Sequence, residues 1–197
     1  MTTNSALEKN IFPLDLSSQS FVEPKRVAMI LFGSWALALF AQLTIYLPFS
    51  PVPITGQTLG VLLIGALLGA RGGTYCVASY LLQGALGFPF FAGAAGGVAH
   101  LLGPTGGYLV GFIFAAATVG WFFEQKKAKS TFQMALVFTL GQGIVFAVGL
   151  VVLSFWTGWS KVLTMGLIPF IPGAIIKIIF AVLMVSSILT LNQKREK

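Results

Sequence analysis

The sequence predicts an all-α integral membrane protein, a compact bundle of six transmembrane helices with both termini on the cytoplasmic side. Three observations predict it. Of 197 residues, 56% are hydrophobic and only 9% charged, against about 25% charged in a soluble domain, so most of the surface is not built to meet water. The apolar residues fall into runs divided by Pro, Gly and charge clusters. The basic residues gather at the ends of those runs, in a pattern that assigns sides. One membrane domain over residues 25–192 accounts for the length, between a cytoplasmic tail over 1–24 and a short basic tail over 193–197.

The elements follow in order. The N-terminal tail is polar and mixed, with Glu8, Asp15 and Glu23, and lacks the continuous apolar core of a signal sequence. A weak amphipathic turn is expected around Ile11, Phe12, Leu14 and Leu16. The first span is expected from Val27 to Leu47, where Pro48, Pro51 and Pro53 break it. The second runs from Gln57 to Ala70 and ends at Arg71-Gly72-Gly73; the third runs from Thr74 to Leu86. A glycine-rich loop from Gly87 to Gly106 precedes the fourth, Gly107 to Phe123. A charged turn from Glu124 to Ser130 leads into the fifth, Phe132 to Phe155. The sixth runs from Pro172 to Leu191.

The second and third spans are short for a bilayer about 30 Å thick, which takes about 20 helical residues. They form either one re-entrant hairpin or two short spans beside a cavity. Charge favours two spans. With six crossings and both termini inside, ten of the twelve basic residues fall on the cytoplasmic side: Lys9, Lys25, Arg26, Arg71, Lys126, Lys127, Lys129, Lys194, Arg195 and Lys197. Lys161 falls in an outer loop and Lys177 within a span. Trp156 and Trp159 then sit at the outer interface, where aromatic belts belong. Small residues recur as Ser34-xxx-Ala38 and Gly65-xxx-Gly69, a spacing that lets helices approach closely, within the bundle or against a partner in the membrane.

Several functions are excluded. The net charge of +7 would suit nucleic acid, but the charges sit at helix ends and form no patch. Cys76 is the single cysteine, so no internal disulfide is available, and its apolar run makes it a small buried hydrophobe. The single histidine, His100, lies in the glycine-rich loop without a Ser/Asp or Cys partner in sequence, and reads as structural or solvated. No spacing offers three metal ligands, and no phosphate-binding G-x-x-x-x-G-K-[ST] run occurs. No catalytic residue, metal or cofactor is expected. The spans hold no Asp or Glu, which argues against a carboxylate proton relay.

One ionisable residue does lie inside a span. Lys177 follows Pro172 by five positions, about 8 Å along the sixth helix. An intramembrane lysine costs about 2.5–3.5 kcal/mol on insertion scales. It either snorkels to the headgroups or binds an anionic or carbonyl-bearing ligand. Two outer loops can cap such a site. The proline-rich loop is stiff and ends in Thr55 and Gln57. The glycine-rich loop lets backbone approach a ligand closely, with Phe90 and Phe91 as an apolar wall.

Three stretches carry a resemblance. Pro51-Val-Pro-Ile-Thr-Gly-Gln-Thr58, Leu101-Leu-Gly-Pro-Thr-Gly-Gly-Tyr-Leu109 and Ile168-Pro-Phe-Ile-Pro-Gly-x-x-x-Lys177 resemble the signatures of the BioY family, the biotin-binding S components of energy-coupling factor (ECF) transporters. The likeness extends over residues 27–191 in order and spacing. It implies a six-helix bundle in the cell membrane with an outward-facing biotin pocket under the first loop. It also implies partners: a membrane coupling subunit and two ATPase subunits, which some members are thought to work without. By matching position Lys177 is the pocket lysine. Thr55, Gln57, Phe91, Ala94, Gly97 and Tyr108 are expected to join it in binding substrate.

The chain departs from the family at Ala174, where an acidic residue normally stands three positions before the lysine, one helical turn away. An acceptor for the ureido N–H groups of biotin is thereby lost. Gln142, in Leu140-Gly-Gln-Gly143, is a candidate to supply another, as is Gln57. Lys177 then holds either the carboxylate or the ureido carbonyl. Two other functions stay open at this point: an S component for another small vitamin, and a structural membrane protein whose motifs only pack helices.

Overall fold

The computed structural model describes residues 24–125, 127, 128 and 130–195; the expected turn near Ile11, the loop residues Lys126 and Lys129, and the last two residues lie outside the described residues. The chain order is α1 (Pro24–Gln42), β1 (Thr44–Ile45), β2 (Ile54–Thr55), α2 (Gln57–Ala85), α3 (Val98–Leu101), α4 (Gly106–Glu124), α5 (Thr131–Thr157), α6 (Val162–Gly166) and α7 (Ile171–Arg195). Short 3-10 turns at Ala92–Ala94 and Ile168–Phe170 lead into α3 and α7.

The first helix stops at Gln42, not Leu47. Thr44 and Ile45 pair antiparallel with Thr55 and Ile54, and the Gly56 N–H donates to the Leu43 carbonyl at 2.9 Å. The three prolines between the strands have no N–H to continue a helix. A two-rung ladder satisfies backbone groups that an apolar setting would leave orphaned.

The expected second and third spans are the two limbs of α2. The break is at Gly69, whose φ of 73° and ψ of −177° are not helical and belong to a region open essentially to glycine alone. The limbs, 57–68 and 70–85, run back along each other. A Cβ on Gly73 would lie 3.1 Å from the Gly65 Cα, and Gln57 reaches the Tyr80 hydroxyl across 23 residues. A straight helix would hold those two about 35 Å apart. Arg71, Gly72 and Gly73 are helical, so the turn comes earlier than the charge and glycine run suggests. The Glu124 carboxylate fixes it from the end of α4, accepting the Ala70 N–H at 2.8 Å. That bond satisfies a free donor at the start of the second limb and places negative charge at its positive dipole end.

The other ends are ordinary helix chemistry. Ser130 and Gln133 close a reciprocal capping box on α5, with bonds of 3.1 and 3.2 Å, and Gly158 at φ 76° ends it. Both small-residue pairs pack within the bundle. Gly65 lies against the backbone of Ala116 in α4. Ser34 is buried, and its hydroxyl accepts the Gln83 amide at 2.8 Å, while the Gln83 oxygen accepts the Trp35 indole N–H at 3.2 Å. Two apolar clusters form the core. One gathers Leu37, Val61, Val77, Phe91 and Phe112; the other gathers Leu62, Val119, Phe138 and Val185.

Five helical stretches are long and apolar enough to cross a membrane, and the reversal at Gly69 divides one of them, so six long helical segments result. Phe32, Leu39 and Phe155 are each more than 70% exposed, as they must be where the surrounding medium is lipid. Trp156 and Trp159 are exposed around the end of α5. The chain is a multi-pass integral membrane protein.

Gly69→Ala should destabilise the fold by about 1–3 kcal/mol for the backbone alone, and by more because the new Cβ would collide with Glu124 Oε1. A lowered melting temperature in detergent is the expected reading; an unchanged one would show that the turn tolerates a side chain.

Candidate functional site

The hairpin of α2 brings its start beside α7, and a cavity opens between the loops and helices there. It encloses about 600 Å³, counting the part open to solvent, within the range of small-molecule sites. Six of the expected residues line it: Thr55, Gln57, Tyr108, Gln142, Ala174 and Lys177. Val52, Pro53, Leu109, Phe112, Val145, Phe146 and Phe170 supply apolar wall.

Each polar side chain is held differently. Lys177 Nζ donates to the Thr58 hydroxyl at 3.0 Å, so the ammonium is turned toward the start of α2. No Asp or Glu lines the cavity. Among the described residues the one carboxylate is Glu124, at the far end of the hairpin limb that Thr58 begins, about 16 Å along the helix. Gln57 is committed at both ends: its oxygen accepts the Thr55 hydroxyl at 2.9 Å, and its nitrogen donates to the Tyr80 hydroxyl. The Tyr80 hydroxyl passes the chain on to the Phe90 carbonyl at 3.2 Å. Tyr108 likewise spends its hydroxyl on the Gly166 carbonyl at 2.9 Å, leaving its ring to the cavity. Gln142, 4% exposed, has a buried Oε1 with no hydrogen-bond partner.

Phe91, Ala94 and Gly97 stand behind the cavity, not on its wall. Phe91 is fully buried and packs edge-on to Tyr80, with ring centroids 5.6 Å apart. Ala94 takes a positive φ of 56°, and its N–H donates to Gln42 Oε1 at 2.9 Å. The Gly97 N–H donates to the Gly84 carbonyl at 2.7 Å. These contacts stiffen the glycine-rich loop above the cavity.

Three polar lining residues were not among those expected: Thr58, His100 and Thr105. Thr58, the partner of Lys177, directly follows Gln57 in the first motif, and that adjacency was its available signal. His100 has partners that sequence alone could not show. It stacks on Phe91 at 5.0 Å between centroids, and its Nε2 lies 3.4 Å from the Thr105 hydroxyl. Partial burial pushes its pKa below the usual imidazole value.

The cavity presents one cation, one unsatisfied acceptor, a histidine beside a threonine hydroxyl, and apolar walls. Fold and site together define an integral membrane protein with a ligand-sized cavity within its helical bundle. Residues 14–194 match the BioY family, and the chain belongs to that family. It is 37% identical over 169 residues to the biotin transporter BioY of Thermotoga maritima, covering 85% of this chain and 94% of that one. To the biotin transporter BioY of Rhizobium etli it is 36% identical over 168 residues, 80% of this chain and 89% of that one. Its fold is similar to the crystal structure of the S-component for biotin from an ECF-type ABC transporter, with a TM-score of 0.72 and 32% identity over 88% of this chain and 92% of that one.

The lowered His100 pKa predicts a pH dependence of stability. The folded state favours neutral imidazole, so its contribution is complete above the unfolded value of about 6.5 and is lost as pH falls through the lower folded value. Thermal stability in detergent should fall on acidification below about pH 6.5, and His100→Asn should flatten that fall. An identical profile in the variant would place the acid sensitivity elsewhere.

Proposed function

We propose that this protein captures biotin from outside the cell and mediates its import, as the substrate-binding membrane subunit of a transporter. The observation that carries the reading is the ligand-sized cavity in which an uncompensated lysine meets apolar walls, in a chain whose relatives are biotin transporters. Binding a ligand oxygen gives Lys177 the partner that its membrane cost demands. Thr55, Gln57, Tyr108 and Ala174 shape the cavity around that group, and Phe91, Ala94 and Gly97 hold the loop that covers it.

The proline-rich loop between α1 and α2 is the gate in this reading. Val52, Pro53 and Thr55 lie on the cavity, and Ser50 Oγ ties the loop to the Met165 carbonyl at 2.7 Å. Six crossings in the cell membrane with both termini in the cytoplasm keep the loops flanking the cavity outside. The protein holds no nucleotide-binding motif of its own. Energy for release comes from partners: a membrane coupling subunit and two ATPase subunits.

Purified protein should bind radiolabelled biotin without ATP, and Lys177→Ala should weaken binding about tenfold or more, as expected for a ligand end left unpaired at about 1–3 kcal/mol. No measurable biotin binding by the intact protein would overturn the reading. Topology is tested separately. Cys76 is fully buried and should stay silent, so Ser5→Cys and Gln193→Cys can be labelled in intact cells. Both should be protected from an impermeant reagent added outside; labelling of either would defeat six crossings.

A further inference from the structure

The polar groups of the cavity do not balance. Lys177 and Thr58 already share a hydrogen bond, and the ammonium has donors to spare. Gln57 and Tyr108 have their outer groups tied to protein. Among the residues that line the cavity, the one buried side-chain atom left without a partner is an acceptor, Gln142 Oε1, and it calls for a donor. A buried acceptor left unpaired is costly, and native folds seldom keep one without a reason.

We infer that Gln142 is a specificity-determining residue that accepts an N–H from the bound ligand while Lys177 donates to that ligand's oxygen. The group this pair reads is a cyclic urea or amide, with N–H beside C=O. A carboxylate cannot fill the role, since it offers acceptors only and leaves Oε1 as it was. The inference rests on the biotin reading for the identity of the ligand, and it deepens that reading by fixing which end goes to Lys177. The ureido ring lies against Gln142 and Lys177, and the carboxylate tail points away from them. Gln142 lies midway along α5 (Thr131–Thr157) and Lys177 two turns into α7 (Ile171–Arg195), so the two come from different helices and the ring is gripped from two walls.

Removing an unsatisfied buried oxygen should not harm the free protein. Gln142→Leu should therefore melt at the same temperature as the parent or higher, while biotin affinity falls about tenfold or more. A merely structural glutamine would give the opposite: lower melting temperature with affinity retained in the folded fraction. Gln142→Glu, close in shape and a stronger acceptor, should keep biotin binding within a few-fold of the parent. Biotin methyl ester should compete nearly as well as biotin against the parent. Biotin methylated on both ureido nitrogens should bind the parent far more weakly than biotin does, and that gap should close in Gln142→Leu. Equal biotin affinity in parent and Gln142→Leu would overturn the inference, as would an ester that fails to compete. A probe independent of biotin separates the two readings. 2-Imidazolidinone at high concentration should raise the parent's melting temperature, acetate should not, and the rise should vanish in Gln142→Leu. If biotin fails to bind while imidazolidinone acts through Gln142, the biotin reading falls and the cyclic-urea site stands. If imidazolidinone has no effect on the parent, the assignment of Gln142 falls.

Discussion

The reversal at Gly69 is the constraint on which the rest of the structure depends. One residue in a glycine-only conformation turns a 29-residue helix into two antiparallel limbs. The turn is held from outside the hairpin by the Glu124 carboxylate on the Ala70 N–H. Because the limbs return along each other, Gln57 meets Tyr80, and the beginning of α2 is delivered to the side of the bundle that α7 occupies. Thr58 can then reach Lys177. A straight helix would carry the two ends apart, and neither the clasp nor the cavity would form. The small residues along the limbs serve this geometry, since Gly65 must fit both Gly73 and Ala116.

Around that hairpin, polar groups are spent with an economy set by the low dielectric. Buried hydroxyls and amides in an apolar medium need partners, and most here have them within the protein: Gln57 with Thr55 and Tyr80, Gln83 with Ser34 and Trp35, Tyr108 with Gly166. Against that background, the departures are informative. A lysine satisfied only by a threonine hydroxyl and a glutamine oxygen satisfied by nothing stand on the same cavity. The cavity is thus chemically incomplete in a specific way. It is suited to recognition, because completing it takes a ligand with both an oxygen and a donor.

Much of this was legible in the sequence. Apolar runs and their proline, glycine and charged breaks located the long helices, because lipid forces every backbone group into an internal bond and leaves helix as the simplest solution. Boundaries were less legible where distant residues decide them. The turn in α2 looked centred on Arg71-Gly72-Gly73, yet Glu124, 54 residues on from Ala70, selects Gly69. Leu47 looked like the end of α1, but the ladder between Thr44 and Thr55 takes the chain out of the helix earlier. Lys177 stood out by its cost in an apolar span, and Gln142 was a candidate to replace the acid missing at Ala174; both line the cavity. Thr58 did not stand out, since a threonine at a helix start has many ordinary uses and only the fold reveals its partner. His100 read as partnerless because stacking on Phe91 and proximity to Thr105 are tertiary facts. Phe91, Ala94 and Gly97 belong to the glycine-rich loop, but of its first part only Ala92 lines the cavity.

The difference in helix length has a consequence for the surrounding bilayer. The limbs of α2 are about 18 and 24 Å long, whereas α5 and α7 reach about 40 and 37 Å, and a hydrocarbon core is about 30 Å thick. The hairpin is shielded, with 61% of its most apolar window buried, against 39% for α5 and 22% for the stretch containing α7. The apolar part of α7, residues 171–191, spans about 32 Å and matches that hydrocarbon core, so hydrophobic mismatch falls on α5, which answers it by tilting at a cost of fractions of a kcal/mol per Å. That helix carries Gln142, while the protected hairpin carries Thr58. The wall of the cavity most answerable to bilayer thickness is thus the one that holds Gln142.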